Sequence, residues 1–449
     1  MPPFAHRRLA WPTPTHCRIR SPLYLPRLAM TVLFDLLTCH RRPCSQPRSN
    51  RVMTRAAQAL LLLLATAHGA ALAAPISAAP SDFRPIIVAQ AQPEALVPPG
   101  QTFEEEIVPQ RYAANPNVDA FINDMVARYD FDSNALHALF NQAVYSKTAV
   151  KLVLPAATPT IKNWQAYQAR FIEPVRINAG VKFWRQNEAV LQQASAQFGV
   201  PPEVIAGIIG VETLYGRHMG NFRVLDALTT LAFDYPDTPN RTQRMALFRK
   251  NLEDFLVWTR SAGIEPTTVL GSYTGAIGIP QFLPTSIIGY ALDYDGNHRI
   301  DLRNSPADAI GSVANYLKQH GWESGRPVVW HIHADAGSMG IAQAAADGQA
   351  EPRWALQQLL RAGMLLDERG IDTASEAGTP VAVVELPTPG QPTQYMLGLR
   401  NFYVLTRYNR SFFYALAVYQ LGERVKAQMQ SHCTTTPRPA ASAAPSALQ

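Results

Sequence analysis

An acid that must release a proton near neutral pH needs surroundings that disfavour its charged form, and segment 201–216 (PPEVIAGIIGVETLYG) supplies them. Proline at the start and glycine at the end punctuate a helix. Within it Ile205, Ile209 and Glu212 share one face at i, i+4 and i+7, with Ile208 beside them. Burial among aliphatic side chains raises a carboxyl pKa, each unit being worth about 1.4 kcal/mol. That suits Glu212 to general acid catalysis. The plainer reading of a single Glu near a helix end is a solvated or ion-paired residue. Segment 271–286 (GSYTGAIGIPQFLPTS) is a glycine-punctuated loop running into a helix, which lets backbone come close to a ligand. Read as a cleft wall, it hydrogen-bonds a polar substrate through Ser272 and Gln281; read plainly, it is a tight turn.

Segment 293–301 (DYDGNHRID) spaces oxygen donors as a calcium loop does, with Asp293, Asp295, Asn297 and Asp301 at positions 1, 3, 5 and 9. Two positions depart from that pattern. His298 stands where the loop requires glycine, and Asn304 replaces the bidentate Glu at position 12, leaving Asp308 as the later acid in reach. The alternative is an Asx-rich turn that satisfies its own backbone. His331 and His333 alternate along a strand with no third ligand in view, which reads as a polar face rather than a metal pair.

The elements that carry these residues are mostly helices. Apolar residues recur at spacings of three and four over 117–130, 178–198, 201–215, 225–233, 241–262, 306–320, 354–362 and 411–427. Short β-like runs come late, at 327–333, 381–386 and 394–399. The fold class is therefore mainly α (α+β), with a small strand-bearing lobe inserted at about 325–400. At 47% hydrophobic and 16% charged residues the 449-residue chain is not wholly disordered. Beyond the N-terminal region it has no apolar run long enough for a multi-pass membrane protein.

The net charge of +6 is concentrated at one end: nine arginines against Asp35 give residues 1–52 a charge of +8, leaving −2 for residues 53–449. Nucleic-acid binding thereby loses its electrostatic basis. Met53 and Arg55 precede an apolar run at 59–65 and a cleavage site at 71–73 (ALA), so residues 53–73 are expected to be a signal peptide, with Met53 or Met30 as the true start and residues 1–52 a mistaken extension before it. Residues 74–110, rich in Ala, Pro and Gln, read as a linker, residues 111–432 as the working region and residues 433–449 as a disordered tail. Cleavage would leave Cys433 as the sole cysteine, so the mature chain has neither an intramolecular disulfide nor a thiolate zinc site.

Taken together, GVETLYG at 210–216, LDAL at 225–228, the 275–286 loop, DAIGSVANYL at 308–317, NFY at 401–403 and TRYNRS at 406–411 resemble the membrane-bound lytic murein transglycosylase B family, over residues 117–428. The resemblance implies a lysozyme-like catalytic core with an N-terminal helical lobe and the inserted strand-bearing lobe. It implies action on peptidoglycan glycan strands, at the bond between N-acetylmuramic acid and N-acetylglucosamine. Glu212 matches the single acid/base, and Tyr167, Ser272, Gln281, Tyr316, Tyr408, Asn409 and Tyr414 match cleft positions. Arg244 is a looser match, because Asp237–Asn240 lengthens the preceding loop and the family's paired arginine reads Gln243-Arg244. The family often carries a cation in the 293–301 loop, so a structural Ca2+ on Asp293, Asp295, Asn297, Asp301 and Asp308 is expected, and no cofactor for catalysis.

Most glycosidases use two carboxylates; here the motif holds one, with Asp226 and Asp234 better suited to structural capping. In the family the substrate's N-acetyl group assists and the C6 hydroxyl closes a 1,6-anhydro ring. The rival readings are a hydrolytic muramidase and a non-catalytic peptidoglycan-binding scaffold. The expected mature protein is a periplasmic monomer without a transmembrane segment, soluble or peripheral to a membrane.

Overall fold

The computed structural model describes residues 111–155, 161–367 and 370–434. The extension 1–52, the signal peptide 53–73 and the linker 74–110 lie outside the described residues. So does the tail from residue 435 onward.

The chain opens with α1 (Pro116–Tyr129), α2 (Ser133–Phe140), α3 (Lys147–Val153) and α4 (Trp164–Ala169). Then follow α5 (Pro174–Gln186), α6 (Glu188–Phe198), α7 (Pro202–Thr213), α8 (Val224–Phe233), α9 (Arg241–Ser261), α10 (Pro284–Tyr290) and α11 (Pro306–Gln319). A two-stranded ribbon joins β1 (Phe222–Arg223) to β2 (Leu270–Gly271). The strand-bearing lobe holds β3 (Val329–His331), α12 (Ala336–Ala345), β4 (Trp354–Ala355), α13 (Leu356–Arg361), β5 (Pro380–Leu386) and β6 (Gln394–Gly398). Its antiparallel sheet runs β3-β6-β5-β4. Helices α14 (Arg400–Tyr408) and α15 (Phe412–Thr434) return to the helical body, and α15 ends two residues into the segment expected to be the tail.

Three expectations needed correction. The single helix at 178–198 is two helices, α5 and α6, parted at Asn187, whose side-chain amide donates to the Phe183 carbonyl at 2.8 Å. An Asn amide competes with the helix's own bonding, yet the apolar rhythm continues because both helices bury the same face. The helix at 354–362 begins as β4, paired to β5 through Trp354 and Val381. The short helices α2, α3, α4 and α12 carry too little periodicity to be read in advance and start at side-chain caps: Asp132, Ser146, Asn163 and Asp335 each accept from a backbone N–H three residues on.

Helices α7 and α8 are buried nearly all round, as central helices of a layered α-body must be. Helix α15 lies along α7 in unusually close contact. A Cβ added at Gly207 of α7 would stand 2.3 Å from the Val418 carbonyl oxygen of α15, and one at Gly422 of α15 would stand 2.2 Å from the Glu203 carbonyl oxygen of α7. Each helix therefore offers a glycine to the other's backbone, which fixes their register. The strand lobe has its own core around Trp330, Leu356, Leu359, Val381, Val383 and Leu397. Val384 and Leu386, of opposite parity on β5, face the main core instead. Among the described residues no single helix is long and apolar enough to cross a membrane.

Gly422→Ala should lower thermal stability, because the added methyl meets backbone rather than a movable side chain. Overpacking costs typically about 1–3 kcal/mol, a melting-temperature drop visible by circular dichroism; Ala at Gly289 of α10, which meets nothing within 4 Å, is the control.

Candidate active site

Glu212 stands in the last turn of α7, just before the helix ends on three successive left-handed residues, Leu214, Tyr215 and Gly216, with φ of 50°, 59° and 86°. For the two non-glycine residues this is a strained choice. It is supported from the 271–283 loop, whose Ile279 carbonyl accepts from the Thr213 hydroxyl at 2.8 Å, while the same hydroxyl receives the Gly216 N–H at 2.9 Å.

Glu212 as a residue is partly accessible, but its carboxyl is crowded by aromatic rings. The Tyr414 hydroxyl, on the first turn of α15, donates to Oε1 at 2.5 Å. Tyr408, closing α14, stacks on Tyr414 with centroids 6.3 Å apart and planes 15° apart, and its hydroxyl donates to the Pro280 carbonyl at 2.5 Å. Tyr167 of α4 lies near enough that the Glu212 charge raises its pKa, after burial, the larger cause. Burial pushes the Glu212 pKa up to about 7, against the downward pull of the Tyr414 hydrogen bond.

The other expected cleft residues divide by the partners they engage. Tyr316 packs edge-on to Tyr408 at 4.9 Å and donates to the Arg407 carbonyl at 2.7 Å. Gln281 adopts φ of 52°, and its amide donates to the carbonyls of Gly278 at 2.9 Å and Met219 at 3.3 Å. Asn409 ends α14 beside Tyr408, and its carbonyl accepts from the Ser411 N–H at 2.8 Å. The Ser272 hydroxyl closes its own turn, accepting from Ala276 N–H at 3.0 Å and Thr274 N–H at 3.3 Å. Arg244, 5% exposed on α9, has its Nε buried without a hydrogen-bond partner; no hydrogen bond or ion pair among the described residues joins it to Glu212.

Several contributors escape sequence reading. Trp164 stacks on Tyr167 at 6.4 Å, Phe413 meets both rings, and Phe282 packs between Tyr316 and Tyr408. The strand lobe pins the start of α4, since Trp164 N–H donates to the Pro387 carbonyl at 2.8 Å. No local pattern announces contacts between residues more than two hundred positions apart. Asp226 and Asp234 are engaged structurally: Asp226 accepts from Val144 N–H at 2.9 Å and Arg223 at 2.7 Å, and Asp234 holds Arg111 through two bonds at 2.9 and 3.0 Å.

The acidic loop gathers part of its expected set. Asp293, Asp295 and Asp308 bring one oxygen each within 4.8 Å of one another. Asp308 is wholly buried and accepts from the N–H groups of Tyr294 at 2.8 Å and Asp301 at 2.7 Å. His298 takes the left-handed φ of 67° in the glycine position. Asp301 turns instead to Asn304 and Arg303, and the Asn297 side chain accepts from Arg299 N–H, so these two stand outside the group of three. The loop satisfies its own backbone and also concentrates like-charged carboxylates, an arrangement that suits a hard cation. At the other candidate pair, His333 lies 3.0 Å from Asp335 on the surface.

The Transglycosylase SLT domain family matches residues 113–423. Membrane-bound lytic murein transglycosylase B of Escherichia coli strain K12 is 39% identical over 322 residues, covering 70% of this chain and 84% of that protein. Among solved structures, the soluble lytic transglycosylase SltB1 of Pseudomonas aeruginosa is 38% identical, with a TM-score of 0.63 over 70% of this chain and all of that one. The Escherichia coli lytic transglycosylase Slt35 in complex with calcium is 36% identical, with a TM-score of 0.63 over 73% of this chain and all of that one.

Because the Tyr414 hydroxyl stabilises the charged form of Glu212, Tyr414→Phe leaves burial unopposed and raises the carboxyl pKa further. A general acid must be protonated to act, so if Glu212 holds that role activity is lost as pH rises through its pKa. The basic limb of the pH–rate profile should therefore move to higher pH by about one unit, the worth of one charge-assisted hydrogen bond.

Proposed function

The chain belongs to the Transglycosylase SLT domain family and is a lytic murein transglycosylase with a lysozyme-like fold that cleaves peptidoglycan, and from that premise we propose that Glu212 is its single acid and base. One observation carries this reading: the carboxyl, its pKa raised to about 7, stands among Tyr414, Tyr408 and Tyr167, and no second carboxylate interacts with it among the described residues. A group poised near neutrality serves as acid and then as base.

In the first step protonated Glu212 gives its proton to the glycosidic oxygen as the C1–O bond breaks, and the N-acetyl carbonyl oxygen of the muramic acid attacks C1 to form an oxazolinium ion. In the second the Glu212 carboxylate takes the proton of the C6 hydroxyl as that oxygen attacks C1, and the C1–O bond of the oxazolinium ion breaks to restore the N-acetyl group. The product is a 1,6-anhydro ring, Glu212 regains its proton and no water is consumed. The Tyr414 hydroxyl holds the carboxyl in place, and the packed rings of Tyr167 and Tyr408 limit access of water, favouring the tethered C6 hydroxyl. Tyr167, Gln281, Tyr316, Tyr408, Asn409 and Tyr414 form the glycan wall in this proposal, with Ser272 holding the loop behind it. Arg244 is assigned to parts of the substrate away from the scissile bond.

Glu212→Gln keeps shape and removes the transferable proton, so turnover should fall below a few per cent of wild type, with 1,6-anhydro ends lost from digests of sacculi. Stability should move the other way. The native pKa of about 7 lies above the model-compound value of 4.5, so the folded state is favoured at low pH and loses stability as pH rises between these values. At pH 8 the neutral Gln should therefore raise stability by about 1–3 kcal/mol, a gain measurable by thermal melts and absent at pH 4.

We further place the mature enzyme in the periplasm as a monomer, in keeping with its likeness to a membrane-bound murein enzyme, and assign a structural Ca2+ to Asp293, Asp295 and Asp308, with Asn297 and Asp301 as neighbouring donors. Three hard carboxylate oxygens within 4.8 Å fit that ion. Millimolar calcium added to chelator-treated protein should raise the melting temperature by mass action, and Asp308→Asn should abolish the rise; an unchanged melt leaves the loop as an Asx turn.

A further inference from the structure

Glu212 stands where a carboxylate is least favoured, at a helix C-terminus whose last carbonyls carry partial negative charge. Two side chains come together at that turn, and neither has been given a role. Arg176, on α5, donates from Nη1 to the carbonyl oxygen of Gly210, two residues before Glu212. It lies over the Phe171 ring at 5.2 Å, with the Glu173 carboxylate 3.9 Å from its Nε. That Nε is buried and makes no hydrogen bond among the described residues, which costs free energy that a solvated arginine would not lose.

Tyr215 comes from the other side. The left-handed residues after Thr213 swing its ring back under α7, against Phe183 at 5.2 Å. Its hydroxyl is also buried without a partner among the described residues. A Cβ on Gly180 of α5 would stand 2.3 Å from that hydroxyl oxygen, and one on Gly210 of α7 would stand 2.5 Å from it. Both helices thus carry glycine where this ring passes. Two unfulfilled buried polar groups and two strained non-glycine residues at one turn form a costly arrangement for packing alone.

We propose that Arg176 is a positioning residue for the cleavage reaction: its guanidinium tethers and neutralises the Gly210 carbonyl, and with Tyr215 wedged beside it, the last turn of α7 holds the Glu212 carboxyl against the Tyr414 hydroxyl. Arg176 acts through the helix and touches no substrate. The inference rests on Glu212 being the acid/base.

The experiment is steady-state kinetics of Arg176→Met and Arg176→Lys on soluble glycan strands, with melting temperatures and the Glu212→Gln variant alongside. Arg176→Met should lower kcat at least tenfold with KM within twofold of wild type, and Arg176→Lys, which keeps a donor and the charge, should recover most of kcat. If Arg176→Met does not fold, Arg176→Gln is read by the same criteria. Wild-type kcat in the Met or Gln variant overturns the proposal. So does a kcat loss in both Met and Lys variants that simply follows the fall in melting temperature. Should Glu212→Gln itself retain turnover, the acid/base reading fails, an outcome distinct from an inactive Glu212→Gln beside a fully active Arg176→Met.

Discussion

Backbone contact between α7 and α15 is the constraint on which the active site depends. Gly207 and Gly422 let each helix rest on the other's carbonyl oxygens, so neither can slide without a clash. The helices come from positions some two hundred residues apart, yet their register sets the 2.5 Å bond from Tyr414 to Glu212. A slip of one helical turn, about 5.4 Å, would separate the Glu212 carboxyl from the Tyr414 hydroxyl, its side-chain hydrogen-bond donor among the described residues. Tyr408 is drawn into the same arrangement, stacked on Tyr414 and bonded to Pro280.

Around this contact the protein accepts several unfavourable local states. An acid is surrounded by rings and holds its proton up to about pH 7. Leu214, Tyr215 and Gln281 adopt left-handed backbone angles, and at the helix end beside Arg176 the Arg176 Nε and the Tyr215 hydroxyl make no hydrogen bond among the described residues. Strain of this kind persists only where the surroundings over-determine it. Here the surroundings are the largely buried helices α7 and α8 and the 271–283 loop, which is bonded to Thr213, Met219 and Tyr408.

The strand lobe and the acidic loop serve this site at a distance. Pro387, just past β5, receives the N–H of Trp164 and so fixes the start of the helix that presents Tyr167. The buried Asp308 of α11 gathers the N–H groups of Tyr294, Asp295 and Asp301, and α11 also carries Tyr316 to its place against Tyr408. The inserted parts therefore supply fixed ends to the elements that line the cleft.

Much of this was legible in the chain itself, because helical burial imposes a period that needs no knowledge of partners. The helices holding Glu212 and Tyr316, the late strands and the glycine-punctuated loop follow from spacing and punctuation, as does the burial of Glu212 beside aliphatic neighbours. Short helices such as α4 were not legible, since their few residues carry caps but no sustained period, and the break at Asn187 was hidden by an apolar face that continues through it. The sequence offered five oxygen donors in the acidic loop, but only the folded turn shows that Asp293, Asp295 and Asp308 converge while Asp301 turns away. Likewise the loop pointed to Ser272 and Gln281, and the family resemblance added the tyrosines and Asn409, with Arg244 as a looser match. Tertiary structure ranked them, placing Tyr414, Tyr408 and Tyr167 at the carboxyl and committing the Ser272 hydroxyl to its own loop. Local spacing determines which face a residue shares with its neighbours; which distant group it meets is decided by how whole helices pack, and here that turns on two glycines more than two hundred residues apart.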